Sequence, residues 1–402
     1  MPIFPENAQE VLKDFFRNIT LTKSLYISLL LIITCAVKQT KKNTKQRKLA
    51  LDMEGEVHNL ILDWSIALAS LLYCHGVGRF IAQGTTRFFA LFPVICLFLC
   101  LPLNLHSMFF CGLTSFFISW LGSFKLILFA FGKGPLSSYP PLPLSHFIFT
   151  ACLPIKIMRN QEKPSAVKNK KSPKDYAPRI LLFIVTLKAY SYKDRIHPLL
   201  TTCVYAYCLF FMLELLLALA ASLARTMVGV ELEPQFDEPH HATSVQNFWG
   251  KRWNLMVSSI LRPTVYHPAR AVFSHLVPQR WVSVPAVFAT FLVSGIVHEL
   301  IFYHLGRLAP TWEFTCFFVI QGVCVGIEIV IKKTMGQRFQ PPPVVARTLT
   351  LSFVMLTSFW LFFPPFLQID PYSRSCREIM AFLGFLKSGQ MRSPTEYACP
   401  IM

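Results

Sequence analysis

Two side chains in the second half of this chain have the chemistry for proton transfer and oxyanion stabilisation. His298 interrupts the apolar run of residues 284–304, PAVFATFLVSGIVHELIFYH in its core. A run of about 20 residues is long enough to cross most of a bilayer as a helix. Thr290, Ser294 and His298 recur at spacing four and share one face of it. An ionisable ring inside hydrocarbon is costly and faces a cavity or a partner. A neutral imidazole there can take a proton from a hydroxyl. The plainer reading is a histidine satisfied by a nearby carbonyl or hydroxyl, and for His298 alone that reading wins. His298-Glu299 does not open a zinc helix, because H-E-x-x-H needs a second histidine where Phe302 stands.

The second group is Asn254, which closes the run Phe248-Trp249-Gly250-Lys251-Arg252-Trp253-Asn254. A carboxamide can orient a histidine or donate to a developing oxyanion. Lys251, Arg252, Arg262, Arg270 and Arg280 can meet phosphates. With an apolar cavity for an acyl chain and a lipid-soluble alcohol, the set suits acyl transfer from acyl-CoA to a lipid hydroxyl. Each piece has a bland counterpart: tryptophans anchor at membrane interfaces, arginines bind headgroups, and an asparagine can cap its own helix.

These groups need elements to hold them. Thr243 with Gln246 predicts a capping box that starts a helix. On that helix Trp249, Trp253, Met256 and Ile260 share one face, and Asn247, Lys251, Asn254 and Ser258 another. The pattern predicts an interfacial helix whose polar face looks into a cytosol-facing cavity.

The chain of 402 residues is 53% hydrophobic and 15% charged, with mean hydropathy +0.46. Soluble domains carry about 25% charged residues. The composition therefore predicts an all-α, polytopic membrane helix bundle with about eight or nine spans. The net charge of +18 does not point to nucleic acid, because the basic residues sit in short links between apolar runs. Such links read as cytosolic loops that also meet membrane lipids.

The predicted spans are 60–81, 88–103, 105–131, 196–223, 284–304, 312–331 and 348–363. The runs 144–157, 180–190 and 379–386 are short. Residues 1–52 read as a separate extension, with a short apolar run (25–37) followed by the lysine-rich 38–48. The polar loop 156–179 is placed in the cytosol by its lysines and arginines. The twelve cysteines form no C-x-x-C pair and mostly lie in apolar runs. They read as small buried residues, with neither a disulfide frame nor a metal site. The tail from Lys387 is polar and reads as loose.

From Met53 to about Leu386 the chain resembles plant-type wax synthases, which are long-chain-alcohol O-fatty-acyltransferases of the membrane-bound O-acyltransferase superfamily. The matching pieces are Met53-Glu54-Gly55-Glu56, GPLSSYPPLPL with CLPIKI, FDEPHHATSVQNFWGKRWNL, LRPTVYHPAR, SGIVHELIFYH and PTWEFTCFFVIQGVCVGIEI. The resemblance implies a bundle of membrane helices around a tunnel, in a multi-pass protein of the endoplasmic reticulum membrane. It makes residues 53–386 the acyltransferase domain and 387–402 a C-terminal tail. It assigns His298 as general base and Asn254 as its partner or a polariser of the reacting group. Phe248, Trp249, Lys251, Arg252, Trp253 and Arg262 become acyl-CoA-side residues. The implied reaction is a single displacement on acyl-CoA, a co-substrate, by a long-chain fatty alcohol, with no cofactor and no metal. Residues 1–52 have no counterpart in the pattern, so they are either an anchor or the result of a start placed upstream of Met53. Two rival readings remain. One keeps the chemistry with a sterol or diacylglycerol acceptor; the other is a non-catalytic lipid transporter or scaffold with a structural histidine.

Overall fold

The computed structural model describes residues 53–138, 141–153, 173–190, 192, 195–228, 235–336, 341–390 and 392–399. The apolar run 25–37 and the lysine-rich 38–48 lie outside them, as does most of the loop 156–179. All regular elements among the described residues are helical. Seven are long and apolar enough to cross a membrane. They are α1 (Met53–Phe80), α2 (Thr85–Asn104), α3 (Met108–Ala130), α6 (Pro198–Val228), α9 (Ser283–Gly306), α10 (Glu313–Met335) and α11 (Pro343–Gln368). Between them stand α4 (Leu144–Cys152), α5 (Pro173–Tyr190), α7 (Leu255–Leu261) and α8 (His267–Phe273). Last comes α12 (Pro371–Ser388). The chain is a multi-pass membrane protein.

Most of the spans run past the apolar stretches that predict them, because a span continues until its end groups find polar partners. Glu56 in the first turn of α1 shows why. Its carboxylate accepts from the backbone N–H of His106 and Ser107, each at 2.9 Å. Those donors lie just before α3 and would otherwise be orphans.

The antiparallel pair α9–α10 is the spine. Gly295 lets it close: a Cβ there would stand 2.7 Å from Thr315 Cα. Without a hydrophobic driving force between helices in lipid, such close backbone packing is what holds them. Glu299 Oε1 accepts from the buried Thr315 N–H at 3.1 Å and so satisfies a donor in the first turn of α10. Phe302 stacks on Phe314 with centroids 4.1 Å apart.

The two ends of the bundle differ in chemistry. At the basic end Arg280 donates to the Lys333 carbonyl at 2.5 Å, and Lys333 donates to the Arg280 carbonyl and to Ser283. At the other end Arg307 donates to the carbonyls of Pro102 and Leu105 at 2.6 and 2.9 Å. There α12 locks the helix ends together. Glu378 accepts from Ser107 Oγ, Met108 N and Phe109 N at 2.8, 2.6 and 3.1 Å. Arg374 donates to the Leu305 carbonyl at 2.8 Å.

Three sequence expectations change here. The run 379–386 belongs to an 18-residue helix. Cys376 and Cys399 form a disulfide across a Cα–Cα distance of 5.9 Å. The tail is therefore held against α12, where Tyr397 lies over Gly384 so closely that a Cβ would meet its Oη at 2.1 Å. Two cysteines outside the apolar runs carried no pairing signal, since their partnership depends on the chain folding back.

Gly295→Val should force the α9–α10 spine apart and cost about 1–3 kcal/mol or more, read as a lower melting temperature of the detergent-purified protein. Gly76→Ala is the control, because nothing lies within 4 Å of a Cβ there; it should leave the melting temperature unchanged or raise it.

Candidate active site

The run containing Asn254 does not form one continuous helix. A single turn, Val245–Asn247, is capped by Ser244, whose hydroxyl accepts from Asn247 N at 3.0 Å. The cap is thus one residue later than the predicted Thr243. Phe248–Arg252 then widens into a π-helical turn, Trp253 is extended, and Asn254 sits in the left-handed region at φ 39°. Asparagine is one of the few residues that tolerates that conformation. Its Oδ1 caps α7 by accepting from Val257 N at 3.4 Å. The shared helical faces predicted from the 3.6 period therefore do not survive past Arg252.

Nor does this segment lie flat in the interface. The N–H groups of Val245 and Gln246 donate to the Glu328 carboxylate at 2.8 and 3.0 Å. Further in, Trp249 Nε1 donates to Gln321 Oε1 at 3.1 Å. Glu328 and Gln321 stand about 10 Å apart along α10 at ~1.5 Å per residue. The segment thus dips into the bundle from the basic end of α10. Irregular backbone at such depth is tolerated only inside protein or along a cavity. The tryptophans wedge it there: Trp249 packs on Phe291, Phe317 and Phe318, and Trp253 stacks on Phe248 at 5.4 Å. Arg252 bonds the Asn247 side chain and the carbonyls of Asp237 and Glu238 at 2.9, 2.9 and 3.2 Å. Arg262 holds the Gly250 carbonyl at 3.0 Å. Arg252 and Arg262, two of the four arginines expected at phosphates, therefore brace the turn, while Lys251 is exposed.

His298 is reached from the α9 side. Its Nδ1 lies 2.7 Å from the Ser294 carbonyl. A carbonyl only accepts, so Nδ1 carries the proton and Nε2 presents a lone pair. Ser294 does lie on the predicted face, but its carbonyl rather than its hydroxyl is the partner. The ring is deep in the protein and yet not fully covered, as expected for a side chain lining an internal space. Phe318 lies 4.3 Å from it, Phe362 6.2 Å and Phe302 6.4 Å, centroid to centroid. Phe362 ends a π-helical turn, Ser358–Phe362, in α11, a distortion often found at functional sites.

A chain of ring contacts links the two candidate segments. Phe318 touches both His298 and Trp249, and Trp249 touches Trp253, the residue before Asn254. Val297 and Ile301, neighbours of His298 on α9, pack against the apolar cluster that holds Met256 and Ile260 of α7 together with Phe117 and Trp120 of α3. Sequence reasoning missed Gln321. It is fully buried, accepts from Trp249, and donates to Thr357 Oγ1 at 2.8 Å. It ties the dipping turn to α10 and α11. The available signal was an amide inside the apolar run of α10.

Residues 232–320, which include Asn254 and His298, match the model of the membrane bound O-acyl transferase family. The acyl-CoA–sterol O-acyltransferase 1 of Arabidopsis thaliana is 41% identical over 331 residues, 81% of this chain and 96% of that protein. A probable long-chain-alcohol O-fatty-acyltransferase 1 of Arabidopsis thaliana is 40% identical over 339 residues, 83% and 98% of the two chains. The long-chain-alcohol O-fatty-acyltransferase of Simmondsia chinensis is 38% identical over 354 residues, 83% and 100%.

Trp249→Phe and Gln321→Leu should each leave a buried partner unsatisfied, at about 1–3 kcal/mol. The double variant should lose less than the sum in thermal unfolding in detergent. Strict additivity would mean that the Trp249–Gln321 bond does not form.

Proposed function

The chain belongs to the membrane bound O-acyl transferase family, and from that premise we propose that it transfers a fatty acyl group from acyl-CoA to a long-chain alcohol. The products are a wax ester and CoA. The observation that carries the mechanism is the Nδ1–Ser294 bond, because it leaves His298 Nε2 as the base. Nε2 takes the alcohol proton, the oxygen attacks the thioester carbonyl, the C–S bond breaks, and the proton passes to the CoA sulfur. Electrons and protons balance with acyl-CoA as the only co-substrate. Asn254 acts as a donor in this reading. Its Oδ1 is engaged by Val257 N–H, which leaves Nδ2 for the oxyanion that forms as the thioester is attacked. Phe248, Trp249 and Trp253 wall the acyl chain, and Lys251, Arg252 and Arg262 stand toward the CoA phosphates.

Acyl-CoA enters from the basic end, which faces the cytosol in this reading because lysine and arginine collect there. The disulfide then lies in the lumen of the endoplasmic reticulum, an oxidising compartment where such bonds persist. A protease-sensitive tag on the C-terminus should be protected in intact microsomes and cut once they are permeabilised. Cleavage in intact microsomes would reverse the orientation.

A sterol acceptor is the second reading, favoured by the 41% identity to a sterol acyltransferase. Microsomes from yeast without its own neutral-lipid synthesis, given acyl-CoA with fatty alcohol and sterol in competition, separate the two. Wax ester should dominate; sterol ester as the main product would replace the acceptor assigned here. His298→Ala should lower the rate by about 10²–10⁴-fold. Asn254→Gly keeps the left-handed backbone without the amide and should lose activity while remaining folded. Full activity in that variant would limit Asn254 to capping α7.

A further inference from the structure

The helix α12 follows the last span after a reversal at Asp370, whose backbone is left-handed at φ 50°. It is not itself among the spanning helices. At about 100° per residue its surface divides into sectors. Pro371, Arg374, Glu378 and Ala381 face the bundle, where Glu378 and Arg374 bind the ends of α3 and α9. Cys376 and Gly384 face the tail, one through the disulfide and the other under Tyr397. Arg377 points to a polar sector, 3.6 Å from Asp370.

The sector between the bundle face and the tail face is apolar. Ile379, Phe382, Leu383 and Leu386 follow one another at the spacing of a single stripe. They are 47%, 56%, 43% and 63% exposed. The described residues leave a large part of each of these side chains open. Four large apolar side chains in one stripe, on a helix joined to the rim of a membrane bundle, require an apolar neighbour.

We propose that this stripe seats α12 in the headgroup–acyl boundary of the leaflet at the disulfide end, so that the helix lies in the plane of the membrane. Three observations favour lipid as the occupant. The preceding span likewise leaves large apolar side chains open, Leu356 and Trp360 at 65% and 69%. The helix is fixed at the level of the span ends by Glu378 and Arg374, which is the depth of the interface. Its polar sector with Arg377 lies across from the stripe, the amphipathic division that interfacial helices show. The disulfide and tail then cap the side turned away from the bundle. In this arrangement α12 is a lipid-supported clamp on the ends of α3 and α9, the latter being the helix that carries His298.

The test is photocrosslinking of the full chain in microsomes. Phe382, Leu386, Arg377 and Trp360 are replaced one at a time by p-benzoyl-phenylalanine, and adducts are read by mass spectrometry. Position 360 lies in a span and reports lipid whenever photolysis works. Phospholipid adducts at 360, 382 and 386, with at least tenfold fewer at 377, are expected. Protein adducts at 382 and 386 would mean that a second copy or another segment covers the stripe, and would overturn the proposal. Equal lipid labelling at 377 and 382, or lipid labelling at 360 with none at 382 and 386, would overturn it as well.

Discussion

A backbone that turns inside hydrocarbon must find every hydrogen-bond partner within the protein, since no water is there to supply one. The segment from Val245 to Asn254 is built around that constraint. Glu328 takes two of its N–H groups, Ser244 a third, Arg262 the Gly250 carbonyl, and Ser258 the Trp249 carbonyl at 3.0 Å. Gln235 takes Leu255 N–H at 2.9 Å, while Asp237 N–H donates to the Arg252 carbonyl at 2.9 Å. Because these demands are met, the turn can enter the bundle, and the tryptophans can fill the space between it and α10. The position of Asn254 relative to His298 depends on this accounting.

The same logic fixes the histidine. A ring that must satisfy one nitrogen on its own helix has a defined tautomer and a defined free nitrogen. The Ser294 carbonyl supplies that bond without a second charged group, so the base lies among phenylalanines. The spine makes this possible: Gly295, the residue next to Ser294, brings α10 close enough for Phe318 to cover the ring. Packing and chemistry are thus adjacent residues on one helix. The carboxylates Glu56, Glu299 and Glu378 each cap backbone donors at or beside a helix start. These three buried carboxylates serve as end-caps that set the relative heights of the spans.

Part of this was open to reading along the chain. The seven spans among the described residues follow from apolar length. They are fewer than the eight or nine expected because the short runs 144–157 and 180–190 do not form helices apolar and long enough to cross. His298 stands out because an imidazole in hydrocarbon is rare. The motif pieces around Asn254 and His298 carried the family resemblance, and the comparisons bear that resemblance out. Other parts were misread for identifiable reasons. The period of tryptophans suggested a continuous helix, since a 3.6 pattern says nothing of a left-handed residue that breaks it. The preference of asparagine for caps was the countersignal. Gln321 was passed over as one amide in a span, since its importance lies in partners from two distant segments. The Cys376–Cys399 bridge was invisible for the same reason.

By itself the sequence determined that the chain is a helical membrane protein, which runs must cross, and which side chains have the chemistry to move a proton or stabilise an oxyanion. These follow from properties each residue carries locally: transfer free energy, periodicity and ionisation. Only the tertiary structure decided that the turn before Asn254 dips beside α10 and that the final helix clamps the far end of the bundle. Those outcomes rest on hydrogen bonds and contacts between residues tens to hundreds of positions apart. No local property specifies such pairs until the chain has folded.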